Sequence, residues 1–372
     1  FSRARAMPEL PEVERARRLI HDHAVGHVIT GVHRPTPLDD KVFVNVPEGA
    51  FERALLHKTL RESHRHGKQL WWTLADDDKK GGIKKEESGE DAPSTSSANI
   101  PMFHLGMTGA FVARGVEGLQ YYNSKASGMG DWPPRFTKLV VTFANGAELA
   151  YVDPRRFGKI KLVPELKDVI GGLGPDPYHD MPNAEDFVKL FAKRSIAIKS
   201  ALMDQKLIAG IGNWMADEIL YRARVHPECR SNELSVTQFA AIREQVEYVV
   251  RVACEANSDH DLFPNDWLFH VRWGKTEGAK VNGDAIKFIE VGGRTTAYVP
   301  KLQLKTDGGP PAIAESTKTS PTKKRQAAAA NLTSEQPTSV GRRKAPIKAS
   351  TQTPRARLPR AAAIAAASAL AR

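Results

Sequence analysis

Cysteine is nearly missing from this chain of 372 residues: Cys229 and Cys254 are the only two. Two thiols cannot make a disulfide framework or a four-thiolate zinc site, and their spacing matches neither metal-ligand nor redox motifs. Both are read as reduced thiols, and no metal or cofactor is expected. Also lacking are any run of about 18 apolar residues and any basic segment followed by a hydrophobic one at the start. A soluble, unsecreted protein that avoids membranes is expected. Excess charge is scarce too, outside one segment. The formal net charge is +11, yet Lys305 to Arg372 holds 13 Lys and Arg against 3 Asp and Glu, leaving 41 basic and 40 acidic groups in residues 1–304. An anion-binding face in that larger part must come from local clustering. From Lys305 onward aromatics are absent and Ala, Pro, Ser, Thr and basic residues dominate, which predicts a disordered basic tail over 305–372.

What is present divides the rest into segments. Val13, Ala16, Leu19, Ile20 and Ala24 recur at helical spacing behind Pro8-Glu9-Leu10-Pro11. Strand-like runs follow at Gly26–Arg34, Arg61–Leu74 and Pro101–Val112, with a helix expected at Phe51–Leu60. Phe136–Phe143 and Glu148–Val152 flank Asn145-Gly146, the composition of a tight hairpin turn. The first half reads as a β-sandwich with helices attached (7–165), broken by a polar insertion at 76–99 expected to be disordered. Helical periodicity at Phe187–Arg194, Ile198–Leu207, Trp214–Ala223 and Val236–Ala256 predicts an α domain over 184–275. A hairpin over 276–304, turning at Gly292-Gly293, closes the ordered part. The fold class is α+β.

Five segments and one hairpin-tip arginine carry chemistry. A proline behind Met7 that became the chain end would be a secondary amine, and α-amino groups titrate at roughly 7.7 to 8 against about 10.4 for lysine. Such an amine is a nucleophile near neutrality, able to attack a sugar's anomeric carbon and form an imine; helix punctuation by Pro8 and Pro11 is the plainer alternative. His64-Arg65-His66-Gly67-Lys68 places Lys68 where it can reach an anion, or marks a solvated strand edge. Phe103-His104-Leu105-Gly106-Met107-Thr108-Gly109 and Asp153-Pro154-Arg155-Arg156-Phe157-Gly158 put bulky or cationic side chains beside Gly and Pro, so Met107, Arg155 and Phe157 are candidate wedges for a duplex, against the alternative of ordinary core residues. Gln205 to Asn213 is a Gly-rich turn before a helix; capped by Asn213, it would offer backbone N–H groups and a helix dipole to a phosphate. Arg294 stands at a hairpin tip, as a cation for the same phosphates or as a plain turn arginine.

These segments, in this order, closely resemble the formamidopyrimidine-DNA glycosylase family over residues 7–304 without the insertion. The resemblance implies an N-terminal β-sandwich, a helix-two-turns-helix domain and a terminal hairpin, in a base-excision-repair enzyme that removes oxidised purines from double-stranded DNA and cuts the strand by β,δ-elimination. It implies Pro8 as the nucleophile and Schiff base, Glu9 as the proton donor and acceptor at the sugar, and Lys68 and Arg294 as phosphate grips that assist elimination. DNA contacts would come from Met107, Arg155, Arg156, Phe157, Lys199 and Asn213. No cysteine follows Cys254, so the hairpin resembles the zincless finger of plant and fungal members, held by Phe288, Ile289, Val291, Tyr298 and Val299. Residues 1–6 would block Pro8 and are expected to be absent from the working protein, which is expected to be a monomer in the nucleus, with a mitochondrial share allowed by Arg3 and Arg5. Two rivals stand beside this reading: a non-catalytic damaged-DNA-binding protein, and a Nei-like glycosylase for oxidised pyrimidines.

Overall fold

The computed structural model describes residues 8–35, 38–76, 99–116 and 131–305. The expected extension, insertion core and tail therefore lie outside the described residues. The first helix, α1 (Leu10–Ala24), carries a proline in its first turn and buries Val13, Ala16, Ile20 and Ala24 along one stripe. Proline suits that turn because its missing N–H would have no partner there anyway. Among the described residues eight strands follow: β1 (Ile29–His33), β2 (Lys58–His66), β3 (Gln69–Asp76), β4 (Ile100–His104), β5 (Ala110–Ala113), β6 (Thr137–Phe143), β7 (Glu148–Val152) and β8 (Lys159–Val163). They form two antiparallel four-stranded sheets, ordered β1-β6-β7-β5 and β2-β3-β4-β8. Leu70, Trp72 and Phe103 of one sheet share a buried cluster with Phe111, Leu139, Val141 and Tyr151 of the other, together with Val13 and Ile20 of α1.

Three expectations change. The helix expected at Phe51–Leu60 is the shorter α2 (Ala50–Leu55), because the chain enters β2 at Lys58 after a left-handed His57. Arg61–Leu74 is two strands rather than one: Gly67 adopts φ +57°, the chain reverses, and His66 pairs with Gln69. Pro101–Val112 is divided at Gly106, φ +61°, and its halves belong to different sheets. In each case a left-handed residue turns the chain where the apolar pattern runs on. Strand β8 was not anticipated; it forms the edge beyond β4.

After the short α3 (Lys167–Ile170) come α4 (Ala184–Ala192), α5 (Ile198–Met203), α6 (Asn213–Arg222) and α7 (Val236–Glu255). Their core gathers Phe187, Phe191, Trp214, Met215, Ile219, Phe239, Val246 and Trp267. Ser235 caps α7 by accepting from the Gln238 amide at 3.2 Å, while the Gln238 side chain reaches back to the Ser235 amide, a reciprocal cap. Four short strands end the described chain: β9 (Lys280–Val281) pairs with β10 (Asp284–Ala285), and β11 (Lys287–Val291) with β12 (Arg294–Tyr298). No helix among the described residues is long and apolar enough to cross a membrane.

One buried acid makes the α domain sensitive to pH. Glu218 of α6 accepts the Phe269 amide at 2.8 Å on one oxygen; the other has no hydrogen-bond partner among the described residues. Burial pushes its carboxyl up from 4.5 to about 8. The native state thus holds a proton that the unfolded chain releases near 4.5, so stability is greatest below that value and declines as pH rises through about 8. Glu218→Gln, which imitates the protonated acid, is expected to flatten this decline, read as melting temperature against pH from 5 to 9. A variant that follows the wild-type slope would remove Glu218 as its source.

Candidate active site and nucleic-acid interface

Glu9 immediately precedes α1 and is buried, and its own side chain serves a different helix. Its carboxylate accepts the amides of Gly212 at 2.8 Å, Trp214 at 2.9 Å and Met215 at 3.2 Å, the N-terminus of α6. That end carries a partial positive charge that favours an anion. Burial opposes it and is the larger effect, raising the Glu9 carboxyl from 4.5 to about 7; Lys68 lowers it, Glu12 raises it, and the amides of Trp214 and Met215 lower it. A carboxyl near 7 is suited to both giving and taking a proton close to neutrality. The close approach requires Gly212, where an added Cβ would lie 2.3 Å from the Glu9 carboxyl carbon. Glu12 accepts the Glu9 amide at 2.9 Å and the Ser258 hydroxyl at 2.9 Å, fixing the chain just behind Pro8, which is itself buried.

This arrangement corrects the expected phosphate site. Gly212, not Asn213, is the N-cap of α6, and the amides of that helix end are already taken by Glu9. Asn213 instead donates its side-chain amide to the Thr295 carbonyl at 3.1 Å, next to Arg294, and its own oxygen is without a hydrogen-bond partner among the described residues.

Lys68 stands at the β2–β3 turn and donates to the Ile211 carbonyl at 2.9 Å, beside the loop that holds Glu9. Burial lowers its pKa, against the pull of Glu9 and Glu12, and Arg294 adds to the lowering. The charge of the exposed hairpin-tip Arg294 is therefore felt at Lys68. The turn itself is clamped from below. Arg65, fully buried, binds Glu14 at 3.0 Å, Asp176 through two nitrogens, and the Gly67 carbonyl at 3.1 Å, while Asp176 accepts the Gly67 amide at 2.7 Å. Burial of such charges is tolerable only when each is paired and hydrogen-bonded. Basic residues around Lys68 were visible in the sequence; that Arg65 serves as the clamp was not.

The wedge candidates share a second clamp. Buried Asp153 accepts the Thr108 hydroxyl at 2.6 Å and the amides of Arg155 at 3.2 Å and Gly158 at 2.7 Å, tying the β7–β8 loop to the loop carrying Met107. Gly106 lies so close to the Phe157 carbonyl carbon that a Cβ would meet it at 2.4 Å. Phe157 is 48% exposed, with the Arg155 guanidinium stacked 4.9 Å from its ring centre. Met107 is half-buried. Arg156 goes elsewhere: Asp39 holds its guanidinium at 2.7 to 3.0 Å, and a DNA contact there would have to compete with that pair. His104 has no role of its own in the sequence pattern. Its Nδ1 accepts the Gly106 amide at 3.0 Å, and burial, with Lys68, Lys161 and Lys159 nearby, pushes it down to about 4, so it stays neutral and holds this turn.

Lys199 is corrected outright as a DNA contact. It is fully buried, pairs with Asp217 at 2.6 Å and donates to the Thr296 hydroxyl at 2.6 Å. Asp217 also binds Arg272 at 2.7 Å and accepts the Ala297 amide at 3.0 Å. One carboxylate on α6 thus fastens α5, the hairpin and the segment before it. An acid inside an apolar helix stripe, Ala216-Asp217-Glu218-Ile219, was the available signal. The hairpin packs through Ile286, Ala297 and Val299 against Tyr221, Leu268 and Val281, with Phe288 alongside and Val291 buried; Ile289 and Tyr298 are only half-buried. Among the described residues no group of three or more His, Cys, Asp or Glu is placed to hold a metal ion.

Three family models match in succession: the formamidopyrimidine-DNA glycosylase N-terminal domain over residues 7–160, its H2TH domain over 173–261, and the formamidopyrimidine-DNA glycosylase-like C-terminal domain over 267–300. A formamidopyrimidine-DNA glycosylase of Arabidopsis thaliana is 38% identical, across 80% of this chain and 71% of the relative. One from Pelotomaculum thermopropionicum is 31% identical, across 80% and 99%. Among solved structures, a mutant Lactococcus lactis Fpg in complex with Fapy-dG-containing DNA aligns with a TM-score of 0.61 at 25% identity, over 80% of this chain and all of the other.

Proposed function

Because the chain belongs to the formamidopyrimidine-DNA glycosylase family of base-excision-repair enzymes, we propose that it excises oxidised purines, such as 8-oxoguanine, formamidopyrimidines and hydantoins, from duplex DNA and then cleaves the strand. The Pro8 nitrogen, as a free amine, donates its lone pair to C1′ of the damaged nucleotide while the glycosidic bond breaks, and the base leaves with that bond's electrons and the proton that the Pro8 nitrogen sheds. Glu9 protonates the ring oxygen as the sugar opens to the iminium. Loss of a C2′ proton then expels the 3′ phosphate, and a second elimination expels the 5′ phosphate. Lys68 and Arg294 balance the phosphate charge during both departures.

The observation that carries this reading is Glu9: a buried carboxyl at about 7, next in sequence to Pro8 and coupled to Lys68, which in turn feels the charge of Arg294. A catalytic acid–base group needs a pKa near the working pH, and a merely structural helix cap does not. Flipping the nucleotide out, at a cost of a few kcal/mol, makes the anomeric carbon accessible. Arg155, Phe157 and Met107 would then fill the gap, with Arg155 toward the orphaned base.

Two experiments test the reading. Borohydride reduction on lesion-containing duplex should yield a stable covalent complex, and failure to trap any would favour the non-catalytic binder. Phe157→Ala should slow excision of a damaged base at least tenfold while leaving cleavage of a preformed abasic site within about threefold, since gap filling precedes the chemistry. Equal losses on both substrates would make Phe157 structural. Single-turnover rates on oxidised pyrimidines measured alongside would expose a Nei-like preference.

A further inference from the structure

The acid behind the nucleophile is itself held from a distant part of the chain. In an ordinary reciprocal helix cap the glutamate at the third helical position stands in water and needs no partner beyond the cap amide. Glu12 fills that position of α1, with Oε2 accepting the Glu9 amide at 2.9 Å, yet it is only 5% exposed. Its other oxygen accepts the Ser258 hydroxyl at 2.9 Å, and the Nε2 of His260 lies 3.4 Å from the same atom. Both residues follow α7. Ser258 is fully buried and left-handed, φ +53°, directly after a left-handed Asn257, φ +50°. Two such residues in succession are costly, and a plain helix end would be better served by glycine. Here the strained turn aims a hydroxyl at Glu12. His260 is fixed beside it, its ring centre 4.5 Å from that of Phe269 and 5.1 Å from that of Phe263.

We propose that Ser258 and His260 are positioning residues for the nucleophile: by holding the Glu12 carboxylate they fix the peptide that joins Pro8 to Glu9, and with it the direction of the Pro8 nitrogen. The inference rests on the reading of Pro8 as the nucleophile. A peptide group is planar and the pyrrolidine ring ties the nitrogen to Cα, so one soft torsion, ψ of Pro8, separates the held amide from the attacking atom. A reacting group misplaced by about 1 Å can lose roughly 10²-fold in rate. The Glu12 charge also raises the proton affinity of Glu9 and of Lys68, so a shift of this carboxylate reaches the acid and the phosphate grip as well. Neither Ser258 nor His260 belongs to the segments from which the family resemblance was drawn.

The test uses protein whose chain begins at Pro8. Single-turnover borohydride trapping is measured on a duplex with a preformed abasic site, and affinity on a duplex carrying a stable abasic analogue. S258G deletes the hydroxyl and suits the left-handed backbone at φ +53°. It is expected to keep the wild-type affinity and melting temperature while trapping about tenfold more slowly. H260F keeps a ring against Phe263 and Phe269 but loses the nitrogen that faces Glu12, and it should also trap more slowly; H260Q, which restores a donor without the ring, should return toward the wild-type rate. Trapping by S258G at the wild-type rate overturns the proposal, as does a slowing matched by an equal loss of affinity or by a lower melting temperature. H260Q slower than H260F would assign His260 to ring packing and overturn its positioning role. Failure of the underlying reading has a different signature: wild-type protein begun at Pro8 would then not be trapped at all.

Discussion

Protein whose chain begins at Pro8 is expected to be captured covalently on abasic-site DNA by borohydride, whereas protein carrying even one residue ahead of Pro8 is expected to bind that DNA and escape capture. The reason is electronic. Once acylated, the prolyl nitrogen shares its lone pair with a carbonyl and cannot form an iminium, however well Glu9 and Lys68 are placed. As a free secondary amine it titrates within a few units of neutrality, so a useful fraction is unprotonated. Strand cleavage should follow the same division, falling by three orders of magnitude or more in the blocked form. Mass spectrometry of the trapped complex would locate the link. Normal trapping by the blocked protein would move the nucleophile to another residue and end this mechanism.

Glu9→Gln is expected to slow base excision by about 10²- to 10⁴-fold, the usual share of a general acid–base group. The pH profile separates this from a structural loss. With its carboxyl near 7, Glu9 progressively loses above that value the proton it must give, and once the Pro8 amine is fully free, above roughly 8, nothing offsets that loss, so the excision rate should fall on the alkaline side of about 8. Protonation of the Pro8 amine makes the rate fall on the acid side, which gives a narrow bell. In Glu9→Gln the alkaline limb should vanish along with most of the rate. The variant keeps one oxygen for the amides of Gly212 and Met215, which share Oε2, while its NH2 replaces the Oε1 that accepts the Trp214 amide, so some fall in melting temperature is expected and the pH profile is the readout that decides. An alkaline limb that persists in Glu9→Gln would assign it to another group.

Elements whose cause is local were legible in the sequence. Asn145-Gly146 marked the β6–β7 hairpin, where Gly146 takes φ +84°, and the stripe of Val13, Ala16, Ile20 and Ala24 marked α1. Gly67 and Gly106 hid two chain reversals, because an apolar pattern looks alike whether it continues or folds back. Lys199 was misjudged as well. The resemblance implied Lys199 as a DNA contact, and only Asp217, 18 positions on in sequence and 2.6 Å away in space, shows that it is buried and paired.

By itself, the sequence determined the family, the order of its segments, the lack of thiolate ligands for the hairpin, and the candidate nucleophile and its acidic neighbour, since each resides in residue identity or short-range spacing. Tertiary structure alone decided what those residues experience. Glu9 meets the amides of a helix that begins more than 200 residues later, and it is burial there that moves its proton affinity to neutrality. Arg65 holds the Lys68 turn through Asp176, and Asp153 locks the two wedge loops together. Proton affinity, charge pairing and exposure depend on what surrounds a side chain, and for these residues the surroundings come from distant parts of the chain.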